Sequence, residues 1–111
     1  MPESTPRARI VITTTASPEE AAGIGRTLVE EHLVACATMI PSVQSIYRWQ
    51  GEIESATETL LILKTGPDQL RPLETRLREL HSYDTPEFLV LPVESGSFPY
   101  LEWLHASLEA R

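Results

Sequence analysis

The sequence predicts an α+β fold of the split βαβ, ferredoxin-like plan: βαββαβ with a long central β-hairpin and one extra helix at the C-terminus. Three observations predict it. Stretches with strand and helix character follow one another as strand, helix, strand, strand, helix, strand, helix. The two middle strands, from Ala35 to Thr65, flank a Gln50-Gly51 turn and run on far longer than the others. Each of the two inner helices shows a single apolar stripe, as needed to cover one face of an antiparallel sheet.

Residues 1–7, with two prolines and no periodicity, read as a flexible leader, and residues 8–111 as a single domain. Ala8, Ile10 and Ile12 alternate with Arg9 and Val11 into a first strand that ends in Thr13, Thr14 and Thr15. Ser17-Pro18-Glu19-Glu20 then supplies an N-cap, a proline at the first helical position and a capping-box glutamate. Ala21, Ile24, Gly25 and Leu28 share one face of that helix, which is expected to end near Leu33. In the hairpin, Val43, Ile46, Tyr47 and Trp49 on one arm and Ile53, Thr57 and Leu60 to Leu63 on the other are β-branched, aromatic or apolar. Pro41 removes a ladder donor from the first arm, so a kink or bulge is expected there. At about 3.3 Å per residue the ribbon reaches roughly 40 Å, more than a domain of this size spans. Such a ribbon needs partners to cover its edges, most simply other copies of the chain, and an obligate small oligomer is expected. Gly66-Pro67-Asp68 opens a second helix striped by Leu70, Leu73, Leu77 and Leu80, with His81 at its end. Glu87 to Val93 is an apolar run between prolines and reads as a buried strand. Ser95-Gly96-Ser97 starts a last helix striped by Tyr100, Leu101, Leu104 and Leu108.

Sixteen acidic against nine basic residues give a formal charge of -7, which disfavours nucleic acid as a partner. One cysteine excludes an intramolecular disulfide, and the polar N-terminal stretch does not resemble a secretory signal. No run approaches the roughly 20 apolar residues of a membrane span, so no membrane partner is expected and a reduced, cytoplasmic setting is. Enzyme motifs are absent: there is no glycine-rich phosphate loop, no Gly-x-Ser-x-Gly elbow and no Cys-x-x-Cys pair. The reading is therefore not an enzyme. An RNA-binding module of the same plan would need basic surroundings that the charge does not provide.

Glu31-His32-Leu33-Val34-Ala35-Cys36-Ala37-Thr38-Met39-Ile40-Pro41, Ser45-Ile46-Tyr47-Arg48-Trp49-Gln50-Gly51, Leu63-Lys64-Thr65, His81-Ser82-Tyr83-Asp84-Thr85-Pro86-Glu87 and Tyr100-Leu101-Glu102-Trp103-Leu104 follow one another in order along nearly the whole chain. Together these segments resemble the CutA divalent-cation tolerance family. The resemblance implies a ferredoxin-like subunit, a homotrimer whose hairpins pair across subunits, and kinship with the PII signalling proteins. It implies tolerance of copper and other divalent cations, with none required for folding. Cys36 and His81 match the positions of the family's proposed copper ligands, and thiolate and imidazole suit such a metal. Some relatives carry another cysteine where this chain has Thr13. Met39 is no substitute, because it lies an odd number of strand positions from Cys36 and faces the other side of the sheet. Apart from the resemblance, a free cysteine is most often a small buried hydrophobe, and a histidine in a last helical turn suits the helix dipole. His32 and His105 lie among polar positions and are expected to be solvated.

A second constellation is Tyr47, Trp49, Lys64, Tyr83, Glu87 and Trp103, which could line an intersubunit cleft and hold a small anion, as in a PII-like sensor or interaction module. In the competing reading the tryptophans anchor the trimer and Lys64 forms an interface ion pair with Glu87, with Glu58 as another carboxylate partner for the cation.

Overall fold

The computed structural model describes residues 7–109. Nearly all of the expected leader, and the last two residues of the expected domain, lie outside the described residues. The elements are β1 (Arg9–Thr15), α1 (Pro18–Glu30), β2 (Cys36–Trp49), β3 (Glu52–Thr65), a 3₁₀ turn (Pro67–Gln69), α2 (Leu70–Leu80), β4 (Leu89–Pro92) and α3 (Phe98–Leu108). The strands form one antiparallel sheet in the order β2-β3-β1-β4, which is the ferredoxin-like arrangement. The molecule measures 52 × 27 × 22 Å, and the hairpin supplies the long dimension.

Alternation along β1 and β3 divides the sheet into two unlike faces. Val11, Leu61 and Leu63 are buried against Ala21, Ile24 and Leu28 of α1 and Leu73 and Leu77 of α2, so both helices cover the same side. Their intervening neighbours Ile10, Ile12, Leu60 and Ile62 face the other side and are only partly buried. A smaller cluster of Ala8, Ala35, Leu101, Leu104 and Leu108 docks α3 near the base of the hairpin.

Local chemistry sets the boundaries. Ser17 Oγ accepts the Glu20 amide at 3.1 Å to begin α1, while Glu20 Oε1 reaches back to the Ala16 amide at 3.3 Å. The helix ends before the expected Leu33. His32 turns left-handed at φ 61°, and the His32 and Leu33 amides bond to the Val29 and Leu28 carbonyls at 3.1 and 3.0 Å, a Schellman closure with histidine where glycine is usual. Gln50 (φ 51°) and Gly51 (φ 83°) both take positive φ, as a two-residue type I′ hairpin turn demands. The expected irregularity at Pro41 is a bulge. Pairing passes from Ile40↔Leu60 to Val43↔Glu58, so Pro41 and Ser42 face Thr59 alone, with Ser42 at φ 62°.

The expectation of a buried strand over Glu87 to Val93 is corrected. β4 has four residues, pairs only with β1, and leaves Leu89 55%, Val90 40% and Leu91 45% exposed. As an edge strand it has a neighbour on one side only, and its apolar run is unburied within a single chain.

Candidate functional site

The densest polar network lies where α2 gives way to the loop 82–88. His81 caps α2 and is buried. Its Nε2 lies 2.8 Å from the Thr14 carbonyl oxygen and its Nδ1 accepts the Tyr83 amide at 3.1 Å. A carbonyl can only accept and an amide can only donate, so the ring is held as the neutral tautomer protonated on Nε2. Glu20 Oε2 accepts the Ser82 amide at 2.8 Å and stands 3.6 Å from His81 Nδ1. Burial tends to raise the Glu20 carboxyl, but the hydrogen bonds from Ser82 and Ala16 outweigh it and hold it below its ordinary value. The loop is thus fastened to β1 and to the first turn of α1.

Tyr83 then reaches β3, where its hydroxyl donates to Glu58 Oε2 at 2.7 Å. Glu58 is only 8% exposed, unusual for a carboxylate. Burial, with Glu58 as acceptor and neighbouring charge, pushes the Tyr83 phenol well above its ordinary range. Burial and then the charge of Glu58 raise the Glu87 carboxyl. Tyr83 and Glu87 of the loop thus stand beside Glu58 of β3, and that proximity together with burial disfavours the charged forms of Tyr83 and Glu87.

The structure does not bring Cys36 and His81 together. Cys36 pairs with Lys64, which pairs with Ile10, whereas His81 meets the strand at Thr14. Four residues along β1 separate those levels by about 13 Å, and Cys36 lies two strands across at about 4.8 Å each. Both ring nitrogens of His81 are already engaged, so the donors present do not fit a copper ion shared between these two residues. Thr13 is fully buried on the helix-covered face, opposite the face of Cys36, and Met39 lines a groove beside α1 on that same covered side. Among the described residues, no group of three or more His, Cys, Asp or Glu side chains could hold a metal ion.

The six residues of the second constellation are also spread along the molecule. Tyr47 and Trp49 stand near the hairpin tip, Tyr83 and Glu87 beside the middle of β3, and Lys64 at its base. Lys64 is six residues from Glu58 on one strand, about 20 Å, so it does not pair with Glu58 of its own chain, and the expected interface pair with Glu87 involves a second copy. Trp49 is 58% and Trp103 47% exposed. Sequence reasoning missed Glu20 as a loop anchor and gave Glu58 too small a role. The available signal was a carboxylate at position 58, in step with Leu60 and Ile62 on the uncovered face. His32 and His105 are not simply solvated, because Nδ1 of His32 contacts the Ser107 carbonyl at 3.2 Å and Nε2 of His105 contacts the Arg7 carbonyl, tying α3 in place.

An antiparallel split βαβ sheet with helices on one face, an apolar second face and a projecting hairpin defines an α+β protein of ferredoxin-like plan. The model of the family described as "CutA1 divalent ion tolerance protein" matches residues 9–107, and the chain belongs to this family. It is 43% identical over 95 residues to the divalent-cation tolerance protein CutA of Thermus thermophilus, covering 86% of this chain and 92% of that one. The CutA protein of Pectobacterium atrosepticum is 42% identical over 101 residues, covering 89% and 91%. The crystal structure of the divalent ion tolerance protein CutA1 from Ehrlichia chaffeensis superposes with a TM-score of 0.91 at 29% identity, covering 96% of this chain and 100% of that one.

Proposed function

We propose that this divalent-cation tolerance protein acts as a homotrimer in the response to metal ions, copper among them, from the cytoplasm. The observation that carries the reading is the uncovered sheet face. Ile10, Ile12, Leu60 and Ile62 are half-buried at its centre, and Ile40, Leu89 and Leu91 extend it at 45%, 55% and 45% exposure. A continuous apolar surface of this kind, with a ribbon projecting beyond the body, favours closure against further copies. The thiol available to copper on that face is Cys36, which is partly exposed. No reaction is assigned. Sedimentation at micromolar concentration tests the assembly: a trimer is expected, and a folded, stable monomer would refute it. Copper titration of wild type and Cys36→Ser tests the metal reading, which equal weak binding by both would remove.

A second reading, a PII-like sensor of a small anionic effector, draws on the grouping of Tyr83, Glu87 and Glu58 beside the hairpin. It requires Lys64 to arrive from a neighbouring copy, since the same chain's Lys64 is remote. Thermal-shift screening against nucleotides and small carboxylates separates the readings, because a ligand of the folded state raises the melting temperature.

A further inference from the structure

We infer that His81 is the anchor of the loop 82–88 in this protein and not a metal ligand. A ligating imidazole needs one ring nitrogen with a free lone pair aimed at the ion, the other commonly donating to a carbonyl or carboxylate. His81 has the second feature without the first. Nε2–H donates to the Thr14 carbonyl at 2.8 Å, and the Nδ1 lone pair is taken by the Tyr83 amide at 3.1 Å. The side chain is fully buried, so no donor from another copy can approach it without displacing one of these bonds. Cys36, the only thiol, lies on the other face and about four residues further along the strands.

The same bonds give His81 a positive role. The Tyr83 amide on Nδ1 and the Ser82 amide on Glu20 fix the first two residues of the loop. Tyr83 is thereby aimed across the end of β1, and its hydroxyl meets Glu58 at 2.7 Å. The ring of Tyr83 also packs on the imidazole, with centroids 4.8 Å apart. Losing the imidazole should therefore free the loop and the Tyr83–Glu58 bond together. This inference stands whether or not the chain trimerises.

The test joins a binding measurement to a structural one. Copper(I), held by a chromophoric competing chelator, is titrated into wild type, Cys36→Ser and His81→Gln. Amide hydrogen exchange is followed at Ser82 and Tyr83, and the ring nitrogens of wild-type His81 are observed by ¹⁵N NMR with and without copper(I). The expected result is copper affinity in His81→Gln within twofold of wild type, with at least tenfold faster exchange at both amides. In wild type the expected ring signals are those of the Nε2–H tautomer, unmoved by copper. A tenfold loss of affinity in folded His81→Gln, or a copper-induced shift of either ring nitrogen, would overturn the inference. If His81→Gln does not fold, the wild-type ring signals decide.

Discussion

Replacing Thr13 by valine should stabilise this protein. Thr13 lies at the middle of the sheet on the helix-covered side, is 0% exposed, and its Oγ1 has no hydrogen-bond partner among the described residues. Burying a hydroxyl without a partner costs about 1–3 kcal/mol on the scale of protein substitutions. Valine keeps the β-branched shape and exchanges the hydroxyl for a methyl among Val11, Leu61 and their neighbours, so Thr13→Val should recover much of that cost. Thr13→Ser is the complementary change: it keeps the hydroxyl and removes a buried methyl, for a loss of about 1 kcal/mol. In a domain of this size 1 kcal/mol moves the melting temperature by about 4 °C, so thermal or urea unfolding at one fixed protein concentration resolves the series. The expected order is valine above threonine above serine. Thr13→Val melting at or below wild type would refute the reasoning and show that the hydroxyl is bonded in solution.

Glu87→Gln should stabilise the protein at neutral pH. Burial and Glu58 raise the Glu87 carboxyl above its ordinary value of about 4.5, so just above that pH the native state holds a proton more readily than the unfolded chain, and this group's contribution falls as pH rises from about 4.5. Glutamine removes that slope, and parallel wild-type and variant stability curves between pH 4 and 7 would contradict the assignment. Glu20→Gln should act with the opposite sign, because the carboxyl is held low and its contribution is present above about 4.5 and lost as pH falls; unfolding curves across that range read it. Tyr83→Phe should cost about 1.5 kcal/mol by leaving Glu58 without its hydroxyl donor, measured by urea denaturation, and an unchanged midpoint would show that the bond contributes nothing. Gly25→Ala should cost about 1–3 kcal/mol, since a Cβ there would stand 2.9 Å from Cβ of Ala37 where α1 crosses β2; a thermal melt no lower than wild type would count against so tight a crossing.

Much of the fold was legible because local chemistry and global plan agree. The Ser17-Pro18 start of α1, the Gln50-Gly51 turn and the Pro41 bulge each have a backbone reason that a sequence displays directly. The apolar run of β4 misled for an equally physical reason: hydrophobicity records that a residue is to be covered, and does not say whether its own chain does the covering. The site was less legible. Cys36 and His81 are chemically plausible partners, but strand register, set by pairings between residues far apart in sequence, places them at different levels and on different faces. The role of Glu20 depends on the loop 82–88 folding back on α1, a contact across sixty-two positions that no local pattern announces.

The extra residue at Pro41-Ser42 decides which side chains of the hairpin tip travel together. Were the same residues paired without a bulge, strict alternation from Cys36, Thr38 and Ile40 would carry Ile46 and Arg48 onto the uncovered side; with the bulge, Tyr47 and Trp49 stand there, in step with Glu54 and Glu52 and in line with Glu58. A single-residue deletion at Ser42 would therefore leave Pro41 alone opposite Thr59 and keep Tyr47 and Trp49 where they are, whereas absorbing the extra residue into a regular ladder would turn the outer arm over and exchange an aromatic surface for an aliphatic and cationic one.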